Sequence, residues 1–287
     1  MTGAAKEARP GLALGARRAA GTMFAALYGD LVPHPWRDPN TAQDAYSLFH
    51  ERSLALGWLD DVATAVRKTN GGIEEREVGA AGLWGMNDAG WGHPLAAPEA
   101  SLIAWFQVGV ETVSSDRSLP VQSFLRCSGD TAERIGTMTL RAVQVLMPVQ
   151  DLDTSRRPEY VRMPSLLTAG WFGDTDPQSR TPVRVTLDSG QAPSIPSAAA
   201  KMRERMSRLD QDVFVCESHS LTDFDNLTIA PPFDDSFWNG PSLHRATFHG
   251  TLAEWSLDAL GWLGGFLADL SARQGVTTPL LLTASRS

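Results

Sequence analysis

Residues 181–188 read TPVRVTLD, and the stretch they open, 181–286, decides the fold. Val183, Val185 and Leu187 fall on one side of an extended chain. Arg184, Thr186 and Asp188 fall on the other, which is the period of two of a half-buried strand. Pro193 and Pro196 end it. Ser197 can cap a helix reaching Leu209, with Ala199, Met202, Met206 and Leu209 on one stripe. Residues 213–221 (VFVCESHSL) predict a second strand. A loop rich in Pro, Asp and Asn runs to Pro241, and residues 243–249 predict a third strand. Leu252, Trp255, Ala259, Leu260, Leu263, Leu267 and Leu270 recur at three or four. The spacing predicts a helix over 252–273, stopped by Gly275. Residues 278–285 (TPLLLTAS) predict a last strand. The order βαββαβ is that of a ferredoxin-like unit.

The preceding part of the chain carries a looser version of the same order. Residues 22–32 (TMFAALYGDLV) fit a strand or a short helix equally. Asn40 or Thr41 can cap a long helix with Ala45, Leu48, Phe49, Leu59, Val62, Ala63 and Val66 inward, closed by Asn70-Gly71-Gly72. Residues 73–80 predict a strand, and 82–98 an irregular segment holding Trp84, Trp91 and His93. Along 102–113, Leu102, Ala104, Phe106, Val108 and Val110 share one face. Trp105, Gln107 and Glu111 share the other. Residues 119–127 predict a further strand, Asp130 a helix cap, and 141–149 (RAVQVLMPV) a closing strand. The expected organisation is a tail over 1–20, a first α+β half over 21–150, a linker over 151–180 and a second α+β half over 181–287.

Two ferredoxin-like halves, each with helices on one sheet face, are expected to pack their free faces around a shared interior. That pseudo-duplicated arrangement resembles the dimeric α+β barrel superfamily in single-chain form. The superfamily includes cofactor-free monooxygenases, isomerases and cyclases of aromatic polyketides, and haem proteins such as chlorite dismutases and dye-decolourising peroxidases. The GxxDG signature of the last group is absent. The resemblance implies a fold and a place for a ligand; function does not follow from fold.

Composition narrows the classes. The chain has 287 residues, 43% of them apolar, with a net charge of −8 and a pI near 5.2. That balance argues against binding a nucleic-acid backbone, which needs dense Lys and Arg. No uncharged apolar run approaches the roughly 20 residues of a membrane span. Arg17-Arg18 precedes too short an apolar stretch for an export signal. The basic residues are 22 Arg and 3 Lys, a skew typical of GC-rich bacterial coding. Cys127 and Cys216 lie too far apart in sequence to suggest a disulfide framework or a CxxC metal site, so reduced thiols and a cytoplasmic setting are expected.

The face opposite the helices is the expected ligand surface. From the second half it should present Arg184, Thr186 and Asp188, then Arg245, Thr247 and His249. Val213, Val215 and Leu221 share a face with Glu217 and His219, which directs Cys216 and Ser218 to the ligand side unless a bulge intervenes. His249 is the acid/base candidate, because imidazole titrates near neutrality. Arg245 and Arg184 are the candidate anion stabilisers. Trp105, Gln107 and Glu111 are the candidate opposite wall, and Thr247 and Trp238 further substrate contacts. The competing reading is that His249 is a satisfied structural residue and that the Trp side chains fill the core or an interface.

Other constellations are weaker. His244 and His249 are five apart in one strand and point to opposite faces, so they do not share a metal ion. Ser218 lacks a GxSxG setting. Haem needs only one axial His, for which His93, His219 and His249 qualify, and no cofactor is indicated. The function expected is a small-molecule enzyme acting on a largely apolar substrate between two sheets, in bacterial biosynthesis, by proton transfer, cyclisation or cofactor-light oxidation. The alternatives are a non-catalytic ligand-binding or assembly protein, with a homo-oligomer as one form, and a haem-binding barrel.

Overall fold

The computed structural model describes residues 21–37, 44–60, 63–69, 72–78, 82–93, 96, 101–110, 118–152, 166–221 and 229–287. The expected tail over 1–20 and Glu111 lie outside them. The elements run β1 (Gly21–Pro33), α1 (Ala45–Ala55), β2 (Ala63–Thr69), β3 (Gly72–Val78), β4 (Met86–Gly90), β5 (Leu102–Val110), α2 (Val121–Glu133) and β6 (Gly136–Met147). They continue with α3 (Leu166–Gly173), β7 (Thr181–Asp188), α4 (Ser194–Arg208), β8 (Phe214–Ser220), β9 (Arg245–Leu252), α5 (Leu257–Arg273) and β10 (Leu280–Arg286). The chain is α+β. Eight strands form one antiparallel sheet in the order β4-β5-β1-β6-β10-β7-β9-β8, and β2 pairs with β3 alone.

Face-to-face sheets are therefore corrected to one continuous sheet. Its seam is the pairing of β6 with β10, from Leu280 opposite Met147 to Ser285 opposite Ala142. Pairing these two strands satisfies backbone groups that would otherwise line two open edges. Buried residues of α1 to α5 join one core on one face of the sheet. The sheet supplies Ala25, Leu27, Val143, Val145, Val183, Val185, Ala246 and Phe248 to it. Burying a Leu or Phe side chain is worth about 1.5–3 kcal/mol, so this larger face dominates stability. A second, smaller cluster lies on the opposite face: Phe24, Ala26, Tyr28, Ala142, Leu146, Phe233 and Leu281.

In the second half the elements come in the expected order, with two corrections: α4 begins at Ser194, so Ser197 lies inside it and does not cap it, and Leu252 closes β9 while α5 begins only at Leu257. Ser256 caps α5, its Oγ accepting from the N–H of Ala259 at 3.1 Å. The helix passes α2 closely: a Cβ on Gly261 would stand 2.5 Å from the Gln122 Cα. Three readings in the first half are corrected. Residues 86–90, expected within an irregular segment, are strand β4 paired with β5. The helix expected from residue 40 to 66 stops at Ala55, where Gly57 turns the chain at φ +65°, and residues 63–69 are strand. Residues 121–133, expected as strand and then cap, are one helix, with Val121, Phe124, Leu125, Ser128 and Ala132 buried along its stripe. Asp130 lies inside that helix and pairs with Arg52 at 2.5 Å instead of capping.

Candidate functional site

Strand register lays out the helix-free face in rows. One row holds Ser285, Arg184, His249 and Ser218 on β10, β7, β9 and β8. The next holds Gln144, Thr283, Thr186, Thr247 and Ser220. The third holds Leu281, Asp188 and Arg245. Directly opposed residues in an antiparallel pair have Cα atoms about 4.5–5.5 Å apart. Arg184 and His249 are such a pair, both half-buried, with exposed Ser218 beside them.

A bulge in β8 decides what joins this face. Cys216 opposes Gly250 and Ser218 opposes His249, leaving Glu217 between them. Ser218 and Ser220 thus reach the open face, while Cys216 and His219 turn to the helix side. Cys216 packs against the core there, and the His219 ring lies 6.1 Å from that of Phe248. The expectation for Ser218 holds and that for Cys216 is corrected.

The middle row carries two groups of hydrogen bonds, one around Gln144 and one between Thr186 and Thr247. Tyr28 donates its hydroxyl to Gln144 Oε1 at 2.7 Å. Gln144 donates through Nε2 to the carbonyl of Ile229 at 2.6 Å and to Thr283 Oγ1 at 3.3 Å. The Thr186 and Thr247 hydroxyls are 3.0 Å apart. Burial pushes the Tyr28 phenol well above its usual value, so it donates at any working pH.

At the far end Asp188 is 3% exposed. Its carboxylate accepts from the N–H of Gly190 at 2.8 Å and from the Ser242 hydroxyl, and lies 3.4 Å from Arg245 Nε. Burial raises its pKa despite these partners. Arg245 is thus anchored to Asp188, and is four residues along β9 from His249, about 13 Å at strand rise. Arg184, not Arg245, is the neighbour of His249.

The segment 229–241 covers part of this face. Phe233 stands 5.0 Å from Phe24, edge to face, and Trp238 packs on Phe233 at 6.4 Å. Trp105 stacks on Phe24 at 5.7 Å and gives its N–H to the carbonyl of Gly92 at 2.8 Å. His93 sits edge-on to both rings, and desolvation lowers its pKa. Trp84, by contrast, is buried on the helix side against Phe49 and Phe124.

Set against family models, curated proteins and solved structures, the chain matches none.

The nominated residues divide accordingly. Arg184, His249 and Thr247 come together. Trp105 and Gln107 share the open face but do not form an opposite wall. β5 and β9 are five strand spacings apart in the sheet, roughly 24 Å at about 4.8 Å each. Trp238 belongs to the cover. His93 lies beyond the end of β4 against Trp105 of β5, His249 is on β9 five strand spacings from β5, and His219 faces the other way, so the three imidazoles do not converge. Among the described residues no three His, Cys, Asp or Glu side chains group as metal ligands, and no helix is long and apolar enough to cross a membrane. Tyr28, Gln144 and Thr283 were not among the expected residues. Gln144 had a signal: it is the single amide in the apolar run AVQVLM.

Proposed function

We propose that the chain is a duplicated pair of ferredoxin-like halves joined through their fourth strands, and that it acts on a small, largely apolar molecule. In each half the strands lie in the order fourth, first, third, second: β6-β1-β5-β4 and β10-β7-β9-β8. The ligand would rest on the open face of the second half. His249 would exchange a proton with it, and Arg184 would stabilise the negative oxygen that results. Thr186, Thr247 and Ser218 offer hydroxyls beside them. The observation that carries this reading is the direct opposition of Arg184 and His249 on the face free of helices. A fixed cation beside an imidazole favours an enolate or alkoxide as charge develops.

The test is a ring-proton NMR titration of His249 against a fragment panel of aromatic, alicyclic, neutral and charged compounds, with His249→Gln assigning the resonance. Binders that shift His249 and lose affinity in Arg184→Met support the reading. A panel whose binders all map to other surfaces, or that contains no binder, overturns it.

A non-catalytic binding or assembly role has its own support. Trp36 and Trp171 are 71% and 66% exposed, and exposed indole rings are common anchors of protein contacts. Gel filtration of Trp171→Ser beside the parent tests it: a fall in apparent mass supports assembly through Trp171, and an unchanged mass removes this reading.

A further inference from the structure

A second place, on the other side of the molecule, has the makings of a binding site. α2, the start of β6, the turn before α5 and the end of β10 enclose a groove of about 460 Å³. That is within the range of small-ligand sites. Its floor is Trp255. The indole N–H is donated to the carbonyl of Leu140 at 2.9 Å, which fixes the ring. The Arg286 guanidinium already lies over that ring, 5.4 Å from its centroid. Arg286 is exposed, and among the described residues no carboxylate pairs with it.

The rim is acidic. Asp130 and Glu133 come from α2 and Asp258 from α5. Two of these carboxylates are engaged, Asp130 with Arg52 at 2.5 Å and Asp258 with Arg126 at 2.8 Å. The N-terminus of α5 also opens here, and its positive end would favour an anion. One of its donors is answered by the Ser256 cap, however, and the Asp258 carboxylate in the first turn already offsets the positive end. Arg126 is itself occupied, held between Asp258 and the Trp171 ring at 6.0 Å. The whole chain carries −8, which draws cations towards such a rim.

We propose that this groove is a binding site for a guanidinium group, with Arg286 as a displaceable occupant of the Trp255 face. A guanidinium stacks on an indole through the ring quadrupole and through dispersion. An incoming group would take the stacked position and gain the Glu133 carboxylate, while the Arg286 side chain swings to solvent. The source is either a small molecule or an arginine side chain of another protein.

The test follows the Trp255 indole N–H resonance, assigned with Trp255→Phe, in the full chain. Ethylguanidinium is titrated into the parent and into Arg286→Ala, with propylurea as the neutral isostere. The expected result is saturable binding to Arg286→Ala, about fivefold or more tighter than to the parent. Propylurea should leave the resonance unmoved, and Glu133→Gln in the Arg286→Ala background should weaken the binding. A short peptide with a central arginine separates the sources. Tighter binding than ethylguanidinium assigns a protein side chain, and equal binding a small molecule. The proposal is overturned if propylurea binds as well, if Arg286→Ala gains nothing over the parent, or if only other indoles respond.

Discussion

Gly190 and Asn239 are in contact through their backbones. A Cβ on Gly190 would lie 1.7 Å from the carbonyl oxygen of Asn239, and Gly190 has φ +63°. Around this contact Gln191 N–H donates to the Asn239 carbonyl at 2.8 Å, and Asn239 Nδ2 to the Ser189 carbonyl at 3.1 Å. The end of β7 and the 229–241 cover are thereby locked together. Gly190→Ala adds both a clash and a strained conformation. It should destabilise the fold by about 2–4 kcal/mol, measured by urea unfolding. A cost under about 0.5 kcal/mol would mean that the contact is not maintained in solution.

The other anchor of the cover is Gln144. Gln144→Ala leaves the Tyr28 hydroxyl and the Ile229 carbonyl without their partner in a buried setting. We expect a loss of about 2–4 kcal/mol. Amides of 229–241 should exchange faster with deuterium while those of α5 keep their protection. Unchanged exchange in 229–241 would show that Gln144 does not hold it.

Asp188 gives a pH signature with a definite sign. Burial raises its folded pKa above 3.8. The folded state therefore holds this proton more tightly than the unfolded state does. Stability from this group is greatest at acid pH and declines as pH rises from the unfolded carboxyl value through the folded one. Asp188→Asn should flatten that part of the profile. An equal acid-side slope in parent and variant would remove Asp188 as its source.

His93 works in the opposite direction. Desolvation lowers its pKa below 6.5. Its contribution is present above the ordinary histidine range and is lost as pH falls through the folded value. His93→Gln should therefore narrow the fall in thermal midpoint between pH 7 and pH 5, read by circular dichroism. An unaltered fall would place the effect on other groups.

The cysteines should be sluggish nucleophiles. Burial pushes the thiols of Cys127 and Cys216 up to about 11. At pH 8 the native protein should react with iodoacetamide far more slowly than the urea-unfolded chain, with half-exposed Cys216 ahead of buried Cys127. Modification of Cys127 at the unfolded rate would contradict the burial.

The second half was legible because its strands have one buried and one open face, so β7 alternates along its length. The first half was less so. β1 is buried on both sides, by Met23, Ala25 and Leu27 below and Phe24, Ala26 and Tyr28 above, which erases the period of two. In α2 the large residues Val121, Phe124 and Leu125 give way to Ser128, Gly129 and Ala132 along the buried stripe, so hydropathy alone marked only its first part. The seam was beyond local pattern altogether. Leu281 and Leu146 look like ordinary core residues, and only their pairing shows that β6 and β10 are neighbours in the sheet. His249 and Arg184 could be placed on one face from parity. That Arg245 belongs to Asp188 depended on the turn that Gly190 and Ser242 build.

The pairing of β6 with β10 also sets an order of events during synthesis. β6 leaves the ribosome more than a hundred residues before the strand that covers its outer edge. Until β10 is made, Ala142 to Met147 present an apolar, unpaired ribbon next to finished structure. Completion of the fold then turns on the last strand docking into the centre of the sheet. Nascent chains stalled before residue 280 should be the species that chaperones hold and that aggregate when chaperones are scarce.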